Sequence, residues 1–113
     1  MTNLRIRDLA PALIALRALA LDHPDLPAPC VDVTTVYPDR VRLAFHDDLA
    51  GFEAWRAALG IDPYTVAWAR AGELSWLDAR GAYSNVPVHL TGYFVLCEGK
   101  APGVGEPETE RAA

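Results

Sequence analysis

Apolar positions along the chain follow two rhythms, one of helical period and one of strand period. Leu9, Leu13, Leu16 and Ala20 recur at the spacing of one helical face; Ile6 extends that stripe backwards, and Ile14 and Leu21 widen it. Asp8 suits the N-cap, and Pro11 suits a first turn, where a missing N–H costs nothing. The spacing predicts a helix from about Asp8 to Asp22-His23-Pro24, then an extended linker carried by Pro24, Pro27 and Pro29.

Strict alternation follows. Val31, Val33 and Thr35 alternate with Asp32, Thr34 and Val36, and Val41, Leu43 and Phe45 alternate with Arg42, Ala44 and His46. The two runs flank Tyr37-Pro38-Asp39-Arg40, where Pro38 supplies the φ of a type I turn, so a hairpin is predicted. A second helix starts at Asp47 or Asp48 and presents Leu49, Phe52, Arg56 and Leu59 on one face, with Trp55 beside them. Gly60 and Ile61 predict a left-handed stop, and Asp62-Pro63 forbids continuation.

The rest is strand. Thr65–Arg70 and Leu74–Arg80 are joined across Ala71-Gly72-Glu73; Gly81 to Asn85 is a turn or loop; Val86 to Cys97 is the longest strand. Gly92, in its middle, predicts a bulge or a close backbone approach. The expected fold is thus α+β, in the order α-β-β-α-β-β-β, with a mainly antiparallel sheet and both helices on one face. Residues 1–99 form the domain, and 100–113, rich in Pro, Gly and Glu, read as a flexible acidic tail.

With 113 residues, 51% of them hydrophobic, the chain can build its own core without disulfides or a metal. Its formal charge of −5 and its scattered arginines disfavour duplex nucleic acid, which attracts clustered cations. Cys30 and Cys97 form no CxxC pair and are expected as buried free thiols of a cytoplasmic protein. The longest uncharged run near the N-terminus, Leu9 to Leu16, is too short for a membrane span. Arginine replaces lysine at every basic position but Lys100 and alanine is abundant, as GC-rich codons dictate.

Candidate chemistry is sparse. His46-Asp47-Asp48 reads as a helix cap rather than a metal site, because adjacent residues seldom converge on one ion. His89 and Asp78, on neighbouring strands, offer a general base with Tyr83 or Tyr93 as proton donor, but a polar cross-strand pair explains them equally well. Trp55, Trp68 and Trp76 are either core or binding anchors. No catalytic residue, metal site or cofactor is expected. The residues singled out for binding are Trp55, Trp68, Trp76, Tyr83, His89 and Tyr93.

The run Trp55-Arg56-Ala57-Ala58-Leu59-Gly60, the Trp68-to-Trp76 hairpin, Gly81-x-Tyr83, and Val86-Pro87-Val88 leading to Tyr93 resemble a pattern in small actinomycete proteins of unassigned activity, some of them in phage-like or mobile-element settings. The resemblance covers residues 49 to 96 and implies provenance and fold, not chemistry. The leading expectation is a non-enzymatic interaction or accessory module that pairs with itself or another protein, most simply as a homodimer. The alternatives are a small-ligand protein with a pocket lined by the three tryptophans, and single-stranded nucleic-acid binding through Arg40, Arg42, Arg70 and Arg80.

Overall fold

A computed structural model describes residues 3–95. The tail expected over 100–113, and Cys97, lie outside the described residues. A 3-10 turn over Ile6–Leu9 leads into helix α1 (Ala10–Asp22), then come strands β1 (Cys30–Asp32) and β2 (Val41–His46), helix α2 (Leu49–Ala58), and strands β3 (Ala67–Ala71), β4 (Leu74–Tyr83) and β5 (Val86–Val95). The sheet runs β1-β2-β5-β4-β3 and is antiparallel at every pairing except β2 with β5. Both helices pack on one face of β2 and β5, so the α+β order and the layering are those expected.

Helix α1 buries a different stripe from the predicted one. Ala12, Ala15 and Leu19 are fully buried with Leu16 beside them, while Ile14 is 65% and Leu21 63% exposed. This helix is apolar nearly all round, so periodicity alone cannot select its inner face. The small Ala12 and Ala15 let it approach the sheet closely.

Helix α2 forms as its caps dictate. Asp48 Oδ1 accepts the Gly51 N–H at 3.0 Å, and a side chain at position 51 would strike that carboxylate. At the other end the Ile61 N–H reaches Arg56 O and the Gly60 N–H reaches Ala57 O, with Gly60 at φ +70°. That is a Schellman stop. Phe52 and Trp55 face the sheet, and the Trp55 indole N–H donates to Pro27 O at 2.7 Å.

The hairpins depart from expectation in register. The Tyr37–Arg40 turn closes through Arg40 N–H to Tyr37 O, but β1 ends at Asp32, opposite Arg42. Residues 33–40 therefore form a longer connection, and Val33 to Val36 are not strand. Thr65, predicted as strand, ends a 3-10 turn over Pro63–Thr65 whose Tyr64 N–H is held by Asp62. Gly81 to Tyr83 belong to β4 rather than a loop. The turn is only Ser84-Asn85, both at positive φ, as in a type I′ hairpin. Cys30, expected buried, is exposed because its short edge strand has no neighbour on one side. Among the described residues no helix is long and apolar enough to cross a membrane.

Candidate binding face

Paired residues in a sheet point to the same side, so the register assigns each candidate to a face. The side bearing the helices receives Val41, Leu43 and Phe45 from β2, and Val88, Leu90 and Gly92 from β5. Among the described residues the opposite side carries no helix. Three successive rows cross it, each two residues further along the strands. Arg42, His89 and Arg80 form the first row, with the exposed Asp32 beside Arg42 at its β1 end. Thr91 and Asp78, flanked by Ala44 and Ala67, form the second. His46, Tyr93 and Trp76, with Ala69, form the third.

These rows floor a groove of about 630 Å³, which Tyr37 and Arg40 of the 33–40 connection also line. The Arg40 guanidinium lies 4.2 Å from the Tyr37 ring centre, a cation–π contact that orders both. Arg40 and Arg42, two apart in the sequence, thus line one groove with the distant Arg80. Arg70, the fourth arginine considered, pairs with Ser75 and points to the other side.

The centre of the face is a hydrogen-bonded cluster. His89 Nε2 lies 3.0 Å from Asp78 Oδ1, and Thr91 Oγ1 donates to the same oxygen at 3.1 Å. Because a carboxylate accepts, Nε2 carries the proton of the neutral ring. Nδ1 is then an acceptor; it is buried and has no partner among the described residues. Burial lowers the His89 pKa below its ordinary value; Asp78 opposes that shift, and the charges of Arg80 and Arg42 add to it. The resting state is therefore a neutral imidazole between two guanidinium groups.

One end of the groove is aromatic. His46 stacks on Tyr93 with centroids 5.0 Å apart and planes within 11°. Trp76, half-buried, leans against Tyr93 at 6.3 Å and 48°. Leu74 and Ala71 continue the apolar floor.

The other residues singled out for binding lie elsewhere. Tyr83 is on the helix side, where its hydroxyl donates to Asp22 at the end of α1 and its ring meets His23 edge-on. The hydrogen bond to that carboxylate raises the Tyr83 pKa. A role as proton donor to His89 is therefore closed to it by the thickness of the sheet. Trp68 is 59% exposed on the edge strand and shares its side with Leu77. Trp55 lines a small apolar cleft of about 210 Å³ under the proline linker, below the usual range for ligand pockets. The three tryptophans do not share a cavity. His46-Asp47-Asp48 serves as the strand-to-helix corner, and among the described residues no group of His, Cys, Asp and Glu could hold a metal ion.

The sequence reading missed Thr91 as part of the cluster, and it did not place Arg42 and Arg80 beside His89. The only signal for either was strand parity, which needs the pairing to be known first.

Fold and face together define a two-layer α+β domain in which, among the described residues, one sheet face is uncovered. Set against known proteins, the chain matches no family model, no curated protein and no solved structure.

Proposed function

We infer that this chain is a non-enzymatic binding module whose working surface is the uncovered face of the sheet, and that its partner is an anion carrying a flat or apolar group. One observation carries the reading. Arg40, Arg42 and Arg80 gather beside an aromatic patch in a protein of formal charge −5. Such local reversal of sign is how a site attracts an anion that the rest of the surface repels. Guanidinium groups match carboxylate, sulfonate and phosphate oxygens in geometry as well as charge. Thr91 Oγ1 donates to Asp78, so the hydroxyl hydrogen-bonded beside His89 is already engaged.

Titration of labelled protein with an aromatic sulfonate, followed by amide NMR, tests the assignment. Shifts at Arg42, Asp78, Thr91 and Tyr93 that vanish in Arg42→Ala/Arg80→Ala support it. Shifts confined to the helices would remove it.

A second reading, pairing with another polypeptide or a second copy, is favoured by the outer side of α1. Ile14 and Leu21 are solvent-facing there, and Ile6 nearby is 73% exposed. Contiguous exposed apolar surface commonly marks an interface. Sedimentation over a concentration series would show a doubled mass that Ile14→Glu abolishes; a monomer at every concentration would exclude the homodimer. An exposed free thiol at Cys30 fits a reducing, cytoplasmic setting.

A further inference from the structure

Resting on the reading of the uncovered face as a binding surface, we propose that its occupant is a single free nucleotide, with phosphate over the Arg42–His89–Arg80 row, sugar over Asp78, and base on Trp76 beside Tyr93. The three rows follow one another in the order of a nucleotide's three parts. Adjacent rows are two residues apart, roughly 6.6 Å at strand rise, so phosphate row and ring row are separated by roughly 13 Å. An arginine side chain is long enough to reach across much of that gap, so one molecule can engage a guanidinium and the ring row together.

Each row supplies the chemistry that its part requires. Arg42 and Arg80 flank His89 in register and both line the groove, so two forked donors stand on either side of the phosphate position. His89 Nδ1 is the buried acceptor without a partner. It is shielded from the groove, so the phosphate is held by the two guanidinium groups that flank the ring. Asp78 binds His89 and Thr91 through Oδ1 alone. Its Oδ2, with no hydrogen bond among the described residues, is free to accept from a sugar hydroxyl, the use made of an acidic residue in dinucleotide sites. Trp76 and Tyr93 then offer a ring face, on which any base stacks.

The size of the groove and the charge of the chain decide between a free nucleotide and a strand. About 630 Å³ fits one small molecule. The face holds one arginine cluster, and a formal charge of −5 opposes every phosphate beyond the first.

The full-length protein is titrated calorimetrically with AMP, GMP, CMP, UMP, adenosine, inorganic phosphate, a fifteen-residue oligothymidylate and the aromatic sulfonate. At least one nucleotide is expected to bind about tenfold or more tightly than adenosine or phosphate, as the loss of one charged contact set predicts. Arg42→Ala and Trp76→Leu should each weaken it by about tenfold while the circular dichroism spectrum is retained. Tighter binding of the oligonucleotide than of any mononucleotide would overturn the proposal in favour of a strand. So would nucleotide affinity unchanged by Arg42→Ala. If the sulfonate binds in an Arg42-dependent way and no nucleotide does, this inference fails and the broader one stands. If neither binds, both fail.

Discussion

Gly92 sets how closely α2 can lie on the sheet, and adding one methyl group there tests that packing. The residue faces the helix layer with Phe45 on one flank and Leu77 on the other. A Cβ at this position would stand 3.1 Å from Phe52 Cδ2, and 3.2 Å from both Phe52 Cγ and Leu49 Cδ2. Leu49 is part-exposed and can yield. Phe52 cannot, since it is 2% exposed and its ring is held edge-on by Phe45, with centroids 6.3 Å apart at 88°. In an unobstructed strand interior Gly→Ala stabilises by about 0.5–1 kcal/mol. Overpacking a filled core costs about 1–3 kcal/mol. The second term exceeds the first here, so Gly92→Ala should lose about 1–2 kcal/mol. In a domain this small that lowers Tm by roughly 5–15 °C. Urea unfolding followed by tryptophan fluorescence measures the loss, and Phe52→Leu in the same background should return part of it as a coupling of at least about 0.5 kcal/mol. A Gly92→Ala protein as stable as the parent, or strictly additive with Phe52→Leu, would refute the close-approach account.

Three further outcomes follow from named contacts. Leu19→Ala should cost about 2–5 kcal/mol and Ile14→Ala less than about 0.5 kcal/mol in the same denaturation assay; equal losses would show that the buried side of α1 is misassigned. Ser84→Asn with Asn85→Gly should raise Tm, because type I′ turns favour that pair, whereas Asn85→Val should lower it, because a β-branched residue resists φ near +65°. The His89 ring should titrate by NMR below its ordinary 6.5, and Asp78→Asn should lower it further by removing the groups that favour the charged ring. Since the folded pKa is depressed, the unfolded chain binds the extra proton first. Stability is therefore highest above pH 6.5 and declines as pH falls from there to the folded pKa; His89→Phe should flatten that decline, and an unchanged pH profile would contradict it.

What was legible in the sequence was local. Asp48, Gly60 and Ile61 announced both ends of α2, because capping is decided within a few residues. The Tyr37–Arg40 turn was equally plain, yet the strand before it was not, since alternation from Val31 to Val36 is satisfied by an extended loop as well as by a ladder. The side of α1 that is buried was hidden because Leu13, Ile14 and Leu21 are as apolar as Leu16 and Leu19, and only the small Ala12 and Ala15 distinguish the contact side. The two-residue turn Ser84-Asn85 was read as part of a longer Gly81 to Asn85 turn or loop because neither residue is glycine, although both adopt positive φ, which Asn tolerates.

The candidate site was illegible for a different reason. Arg42 meets His89 only because β2 pairs in parallel with β5, a partner more than forty residues later in the chain. Nothing local specifies that pairing. It follows from α2 and the β3–β4 hairpin occupying the intervening chain, and from the need to bury Leu43 and Phe45 against the same helices as Leu90. Once that apolar demand fixes the register, the polar side is fixed too, because a slip of one residue would turn every side chain to the other face. The core therefore dictates the row of Arg42, His89 and Arg80 without any contact among those three residues being required. The two guanidinium groups repel one another across a neutral imidazole and burial opposes charge on His89, with only Asp32, in register with Arg42 on the edge strand, to offset that repulsion in the row. Like charges held side by side on one face are what the anion-binding role proposed above requires, and the fold sets them there through its core alone.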